Sequence, residues 1–265
     1  MIDVQSRPDL RGVPLDEAGI SGLRYPIVVL DRNRERQTTI ASIAMAVGLP
    51  ETAKGTHMSR FVEVLEAHRG EVTMRTLPAI LREMRSRLEA LTARIEVSFP
   101  YFMERAAPVS EARGLMDYEC TLSGHSTLDR DDDFVLGVRV PVTSLCPCSK
   151  EISDYGAHNQ RGWLTIDVRG TPRATGPGDW IWIEELVEVA EQSGSCPVYP
   201  LLKRPDERHV TMQAYDNPVF VEDMVRNAAT RLRADPRIAW FRVHARNCES
   251  IHNHDAFAST TWHRS

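Results

Sequence analysis

The chain has 265 residues, with 32 Lys and Arg against 37 Asp and Glu, a formal charge of −5. A length of that order makes one large domain or two modest ones, and buries enough surface to fold without disulfide staples. Its 42% hydrophobic and 26% charged residues exclude wholesale disorder, and the acidic balance excludes a general nucleic-acid coat, leaving only local basic pockets.

No apolar run approaches the roughly 18 residues of a membrane span, and the opening MIDVQSRPDLRGVP has no apolar export segment. Cys120, Cys146, Cys148, Cys196 and Cys248 are odd in number and scattered. They read as reduced thiols of a cytoplasmic protein, with no membrane or nucleic-acid partner expected.

In chain order, residues 1–24 are polar and punctuated by Gly and Pro, which predicts an N-terminal arm. Extended segments follow at 26–30 and 37–47. Met58, Phe61, Val62 and Leu65 recur at helical spacing, as do Leu77, Ile80, Leu81, Met84, Leu88 and Leu91, with Thr76 as a cap and Pro78 in the first turn. Ile95, Val97, Phe99 and Tyr101 alternate as a strand, and 115–122 forms another. The acidic GHSTLDRDDD at 124–133 is the predicted linker.

Beyond it the order repeats. Phe134, Leu136, Val138, Val140 and Val142 alternate, as do Leu164, Ile166 and Val168. The loop TPRATGPGD ends at Asp179, a predicted cap for a helix marked by Ile183, Leu186, Val187 and Ala190. Asn217-Pro218 opens a helix striped by Val221, Met224, Val225, Ala228, Ala229 and Leu232. Ala239, Phe241, Val243 and Ala245 form a strand, and a last one spans 250–261. Residues 25–124 and 134–265 therefore both read strand–strand–helix–helix–strand–strand. That grouping favours an α+β fold with antiparallel sheets.

The densest set of reactive side chains is PVTSLCPCSKEISDYGAHNQR at 141–161. Cys146 and Cys148 flank a proline, too close together for an easy disulfide. His158 follows far enough on for the chain to fold back and meet Cys146. A thiolate and an imidazole are typical zinc ligands, although the segment can equally be a turn with one buried and one incidental cysteine. Cys196 and Cys248 are lone residues, which disfavours a closed four-ligand structural site. A metal with few protein ligands leaves room for water, the catalytic pattern.

Four further places carry two readings each. In LLKRPDER, Lys203, Arg204, Asp206 and Glu207 make either a solvated turn or a site where Glu207 offers oxygen to a metal and a cation meets phosphate. Glu222, in the first turn of its helix, is either a dipole-favoured acid or a carboxylate that anchors a heterocycle through paired N–H groups. Lys54, His57 and Arg60 of KGTHMSR stand at a helix start suited to an anion, without the spacing of a Walker loop. His252 and His254, two apart, are expected to share one strand face; surface histidines fit equally well.

Taken together, KGTHMSRF, SFPYF, PVTSLCPCSKEISDYGAHNQR, LLKRPDE, NPVFVEDMVR and SIHNHDA resemble the type IB GTP cyclohydrolases, and the opening DVQSRPDLRGVPLDEAGISGLRYPI is similar too. The resemblance spans nearly the whole chain and departs at 129–133, 170–179 and 194–200. It implies two tunnelling-fold units in tandem and a homotetramer with sites between units. The implied reaction converts GTP and water to 7,8-dihydroneopterin triphosphate and formate, toward tetrahydrofolate. The metal ligands carry over to Cys146, His158 and Glu207, and the guanine-anchoring carboxylate to Glu222. His252 and His254 fall in the family's terminal histidine motif, and Lys54, Arg60, Lys203 and Arg204 are candidates for the triphosphate. The implied cofactor is a divalent metal: zinc, iron or manganese. The competing expectations are an archaeal-type cyclohydrolase with a cyclic phosphate product, a nitrile reductase with a cysteine nucleophile, and a non-catalytic metal-binding protein.

Overall fold

Alternating burial organises the long strands. In β2 (Arg36–Leu49) Thr39, Ala41, Ile43, Met45, Val47 and Leu49 point inward while their neighbours face outward, the period that one buried sheet face demands. The computed structural model describes residues 5, 8–33, 35–68, 71–73, 75–129, 133–171 and 180–264. The chain forms two compact units, Met1–Pro100 with Thr121–Leu136, and Tyr101–Cys120 with Gly137–Ser265.

In the first unit, β1 (Leu15–Leu30) pairs antiparallel with β2, and β2 pairs antiparallel with β3 (Thr92–Ala106). The strand therefore begins inside the predicted arm. The register of β1 shifts between Leu15 and Ala18 and again between Ile20 and Leu23, and Gly22 takes φ 70° in the second irregularity. Two bulges break the alternation that would have announced the strand. Helices α1 (Met58–Ala67) and α2 (Leu77–Arg87) bury Phe61, Val64, Leu65, Leu77, Ile80, Leu81 and Met84. Met58, Val62 and Leu91, assigned to the same stripes, are exposed.

Thr76 does not cap α2 with its side chain. Its own backbone is already helical, and its hydroxyl instead donates to the Glu71 carbonyl at 2.7 Å. The expected linker is also shorter than its composition implied, because 124–127 complete β4 (Arg113–Thr127) and β5 (Asp133–Leu145) begins at its end.

The second unit adds α3 (Pro147–Ile152), β6 (Asn159–Gly170), α4 (Ile183–Glu191), β7 (Cys196–Pro197), α5 (Arg204–Asp216), α6 (Val221–Ala234), β8 (Ile238–Asn247) and β9 (Ala256–His263). Strands bond in the order β1-β2-β3-β4-β5-β6-β8-β9, with β7 on β5. Leu186, Val187 and Ala190 of α4 and Met224, Val225, Ala228 and Leu232 of α6 are buried, as are Val138, Val140, Val142, Leu164, Ile166, Val168, Phe241, Val243 and Ala245 of the strands. The predicted Asp179 cap lies outside the described residues; Glu185 accepts the Trp182 N–H at 2.9 Å at the start of α4.

Helix α5 stands where a turn was expected. Apart from Ala214 it buries only Asp206, so it has no apolar stripe to betray it. Asp206 ties it down instead. Its carboxylate accepts N–H from Val109, Ser110 and Lys203, each at 2.8 Å, and O–H from Ser110 at 2.6 Å. Burial pushes this carboxyl up, but the Ser110 hydroxyl and the three backbone donors outweigh it and hold it well below the usual carboxylate range. A folded-state pKa below the unfolded value stabilises the fold above the unfolded pKa, and that stabilisation is lost as the pH falls through the folded one. Asp206→Asn should therefore lower the denaturant midpoint at pH 7, and its gap from wild type should narrow as the pH drops below about 3.9; paired denaturation curves at neutral and acid pH check this.

Candidate active site

Three neighbouring strands meet at one end of the second unit's sheet: β5 stops at Leu145, β6 starts at Asn159 and β8 stops at Asn247. Cys146 and His158 stand on either side of the β5–β6 connection. The Cys146 N–H donates to the His158 carbonyl at 3.1 Å, so the ladder itself brings the two residues together. Cys146 is the N-cap of α3, and its Sγ accepts the Ser149 N–H at 3.4 Å. Ser149 Oγ donates to the Cys146 carbonyl and accepts the His158 N–H, both at 3.2 Å. One serine thus clips both ends of the loop. Cys146 and His158 are half-buried, whereas Cys148 is exposed.

The His158 ring is held from behind. Its Nδ1 lies 2.8 Å from Gln160 Oε1, and Gln160 Nε2 donates to Glu249 Oε1 at 3.4 Å. Sequence reasoning found none of Ser149, Gln160 and Glu249. Residues 160 and 249 are remote in the chain and become neighbours only through the β6–β8 register, which pairs Gly162 with Asn247.

Glu222 belongs to the same end. Val219 N–H donates to the Leu145 carbonyl at 3.1 Å and Ser144 Oγ donates to the Val219 carbonyl at 2.9 Å, tying the approach to α6 onto the end of β5. The neighbouring acid, Asp223, takes the capping role: it accepts the Phe220 N–H at 3.1 Å and pairs with Arg226. Glu222 is exposed, and its carboxylate has no hydrogen bond or ion pair among the described residues. Both acids stand in the first turn of α6, and the one that bonds the helix start is Asp223.

Glu207, Lys203 and Arg204 are exposed at the start of α5. Among the described residues no three His, Cys, Asp or Glu side chains form a cluster that could hold a metal, so Glu207 is not gathered with Cys146 and His158 in this structure. His252 and His254 do not lie on a strand face as expected. β9 begins only at Ala256, and the two exposed rings stack in the bend before it, with centroids 5.0 Å apart at 17°. An Arg246–Asp255 ion pair closes that bend.

Lys54, His57 and Arg60 belong to the first unit. His57 is the N-cap residue of α1 and Lys54 is exposed. Arg60 Nη1 donates to the Arg87 carbonyl at 2.7 Å, satisfying an acceptor at the C-terminal end of α2.

The donor chemistry at the β5–β6 connection fits a divalent metal. A sulfur and an imidazole whose Nδ1 faces an amide oxygen supply one soft and one borderline ligand, with Nε2 available.

Residues 1–258 match the profile of the family described as type I GTP cyclohydrolase folE2. The chain belongs to this family. The GTP cyclohydrolase FolE2 of Syntrophotalea carbinolica is 54% identical over 97% of this chain and 94% of its own length. That of Pelobacter propionicus is 53% identical over 98% and 97%, and that of Geobacter sulfurreducens 52% over the same shares. Among solved structures, a uricase from Bacillus fastidious superposes with TM-score 0.56 at 9% identity over 93% of each chain. Urate oxidase from Bacillus subtilis 168 gives 0.52 at 9% over 94% of this chain and 98% of that one. At such identity the likeness concerns the fold alone, and it agrees with the expected tandem tunnelling-fold, α+β architecture. No helix among the described residues is long and apolar enough to cross a membrane.

For this family member the roles of the two adjacent acids separate cleanly. Asp223→Ala should cost about 0.3–1.5 kcal/mol through the lost bond from its N3 carboxylate to the Phe220 N–H. Glu222→Ala should stay within about 0.5 kcal/mol of wild type. Equilibrium denaturation of both variants measures the contrast.

Proposed function

We propose that the chain is a type IB GTP cyclohydrolase that converts GTP and water to 7,8-dihydroneopterin triphosphate and formate, the first step of tetrahydrofolate biosynthesis. The observation that carries this reading is the backbone clasp between Cys146 and His158, tied to the same strand end as the uncommitted carboxylate Glu222. Cys146, His158 and Glu207 would hold zinc, manganese or iron. A divalent metal bound there supplies water activation near neutral pH.

The remaining roles belong to the chain's own groups. Glu222 accepts two N–H groups from the guanine edge, a charge-assisted bidentate contact that fixes the base. His252 and His254, exposed on the loop before β9, exchange protons as the imidazole ring of guanine opens and formate leaves. Lys203 and Arg204 meet the triphosphate, and Lys54, His57 and Arg60 at the start of α1 are assigned to phosphate as well. The assembly is a homotetramer acting in the cytoplasm.

The direct test incubates metal-reconstituted protein with GTP and follows formate together with a pterin made fluorescent by oxidation. Appearance of both supports the reading; metal binding without either product contradicts it. Cys146→Ala should abolish turnover and lower metal content, whereas Cys148→Ala should keep both measurable, because its side chain is exposed and outside the clasp. Glu222→Ala should keep its metal and lose about 1.5–3 kcal/mol of GTP affinity, since truncation removes the charged acceptor of the guanine N–H groups; calorimetric titration with GTP measures the loss.

A further inference from the structure

The hydrogen bonds behind His158 form a directed chain, and its direction is fixed at the far end. Glu249 carries a carboxylate, which only accepts. The Gln160 atom facing it must therefore be the amide nitrogen, as the 3.4 Å Nε2–Oε1 contact has it. That turns Gln160 Oε1 toward His158, 2.8 Å from Nδ1. An amide oxygen cannot donate, so the bond requires the hydrogen on Nδ1, which in the neutral ring leaves the Nε2 lone pair open. The reverse amide orientation would face Gln160 Oε1 against a carboxylate oxygen and bury two acceptors together. Gln160 itself is only 8% exposed, so an amide left without partners there would be costly.

Strand register explains why this chain of bonds is held in place. Gly162 pairs with Asn247, and the Cys248 N–H donates to the Arg161 carbonyl at 3.0 Å, extending the β6–β8 ladder. Extrapolating that register by one more residue on each side sets Glu249 across from Gln160, in line with the contact between their side chains. His158 lies two residues before Gln160, just ahead of β6, and its ring meets the Gln160 side chain. The three groups are thus gathered where the ladder runs out, with Gln160 inside β6, His158 just ahead of it and Glu249 just past β8.

We propose that Gln160 is a positioning residue which locks His158 as the Nδ1–H tautomer with Nε2 presented to the metal, and that Glu249 sets the direction of the Gln160 amide. This rests on the reading of His158 as a metal ligand. Histidine ligands owe their tautomer and orientation to the partner of the other ring nitrogen, and loss of such a partner typically costs about 10–100-fold in metal affinity. Without Gln160, Nδ1 loses its acceptor and the imidazole is free to place its hydrogen on Nε2, where it blocks ligation.

The test compares full-length wild type, Gln160→Leu, His158→Ala and the swapped double variant Gln160→Glu/Glu249→Gln. The swap keeps an acceptor for Nδ1–H at 160 and a donor behind it at 249. Zinc and manganese affinities are measured by chelator competition, and the ring nitrogens of His158 by ¹⁵N spectroscopy of metal-free, histidine-labelled protein. We expect Gln160→Leu to lose about 10–100-fold in affinity and to move the ring away from the Nδ1–H signature, with the swap restoring both. If His158→Ala binds metal as tightly as wild type, the ligand assignment itself fails. If His158→Ala loses the metal while Gln160→Leu keeps wild-type affinity and tautomer, only the positioning role is overturned. Should Gln160→Leu not fold, the swap decides: a folded swap variant as weak as His158→Ala overturns the proposal, and one within a few-fold of wild type supports it.

Discussion

The bond from the Cys146 N–H to the His158 carbonyl is the constraint on which the rest of the site depends. It closes the β5–β6 connection at its base, so the intervening loop, with its six-residue helix α3, is a bulge on a paired ladder. Side chains placed at the ends of paired strands inherit the rigidity of the sheet, which suits a site that must hold ligand geometry closely. Ser149 reinforces the same closure from inside the loop, because one hydroxyl serves both residues.

The surrounding elements are organised around that strand end. Leu145 and Ser144, the last residues of β5, hold the segment entering α6 through Val219. A buried Asn247 at the end of β8 donates to Ser144 Oγ at 2.9 Å, joining a third element to the same point. Asn217 Nδ2 donates to the carbonyls of Gly194 and Ser195, and Ser195 Oγ accepts the Leu145 N–H. These polar bonds, buried or partly so, are each worth only about 1 kcal/mol net. Leaving any one unmade would cost more, and that asymmetry makes the arrangement specific.

Much of the fold was legible because a half-buried strand must alternate and an amphipathic helix must repeat. The alternation of Leu164, Ile166 and Val168 and the stripe of α6 both appear where they were read. Failures have local causes. Two bulges hid the start of β1. Helix α5 is anchored through a buried carboxylate, a device with no hydrophobic period. The strand expected across 250–261 begins only at Ala256, because the residues before it bend and leave His252 and His254 stacked on a loop. At the candidate site, the return of the chain that brings His158 to Cys146 was legible from their spacing. Gln160 and Glu249 were not, since nothing local marks them and only the register of two strands distant in sequence makes them neighbours.

The central claim is that the Cys146–His158 pair holds the catalytic metal with a single sulfur. X-ray absorption at the metal edge of the zinc-loaded protein tests it most directly. The account predicts one sulfur scatterer at about 2.3 Å with nitrogen and oxygen completing the shell at about 2.0–2.2 Å, and loss of that sulfur in Cys146→Ala. A shell with no sulfur, or with two, would contradict it.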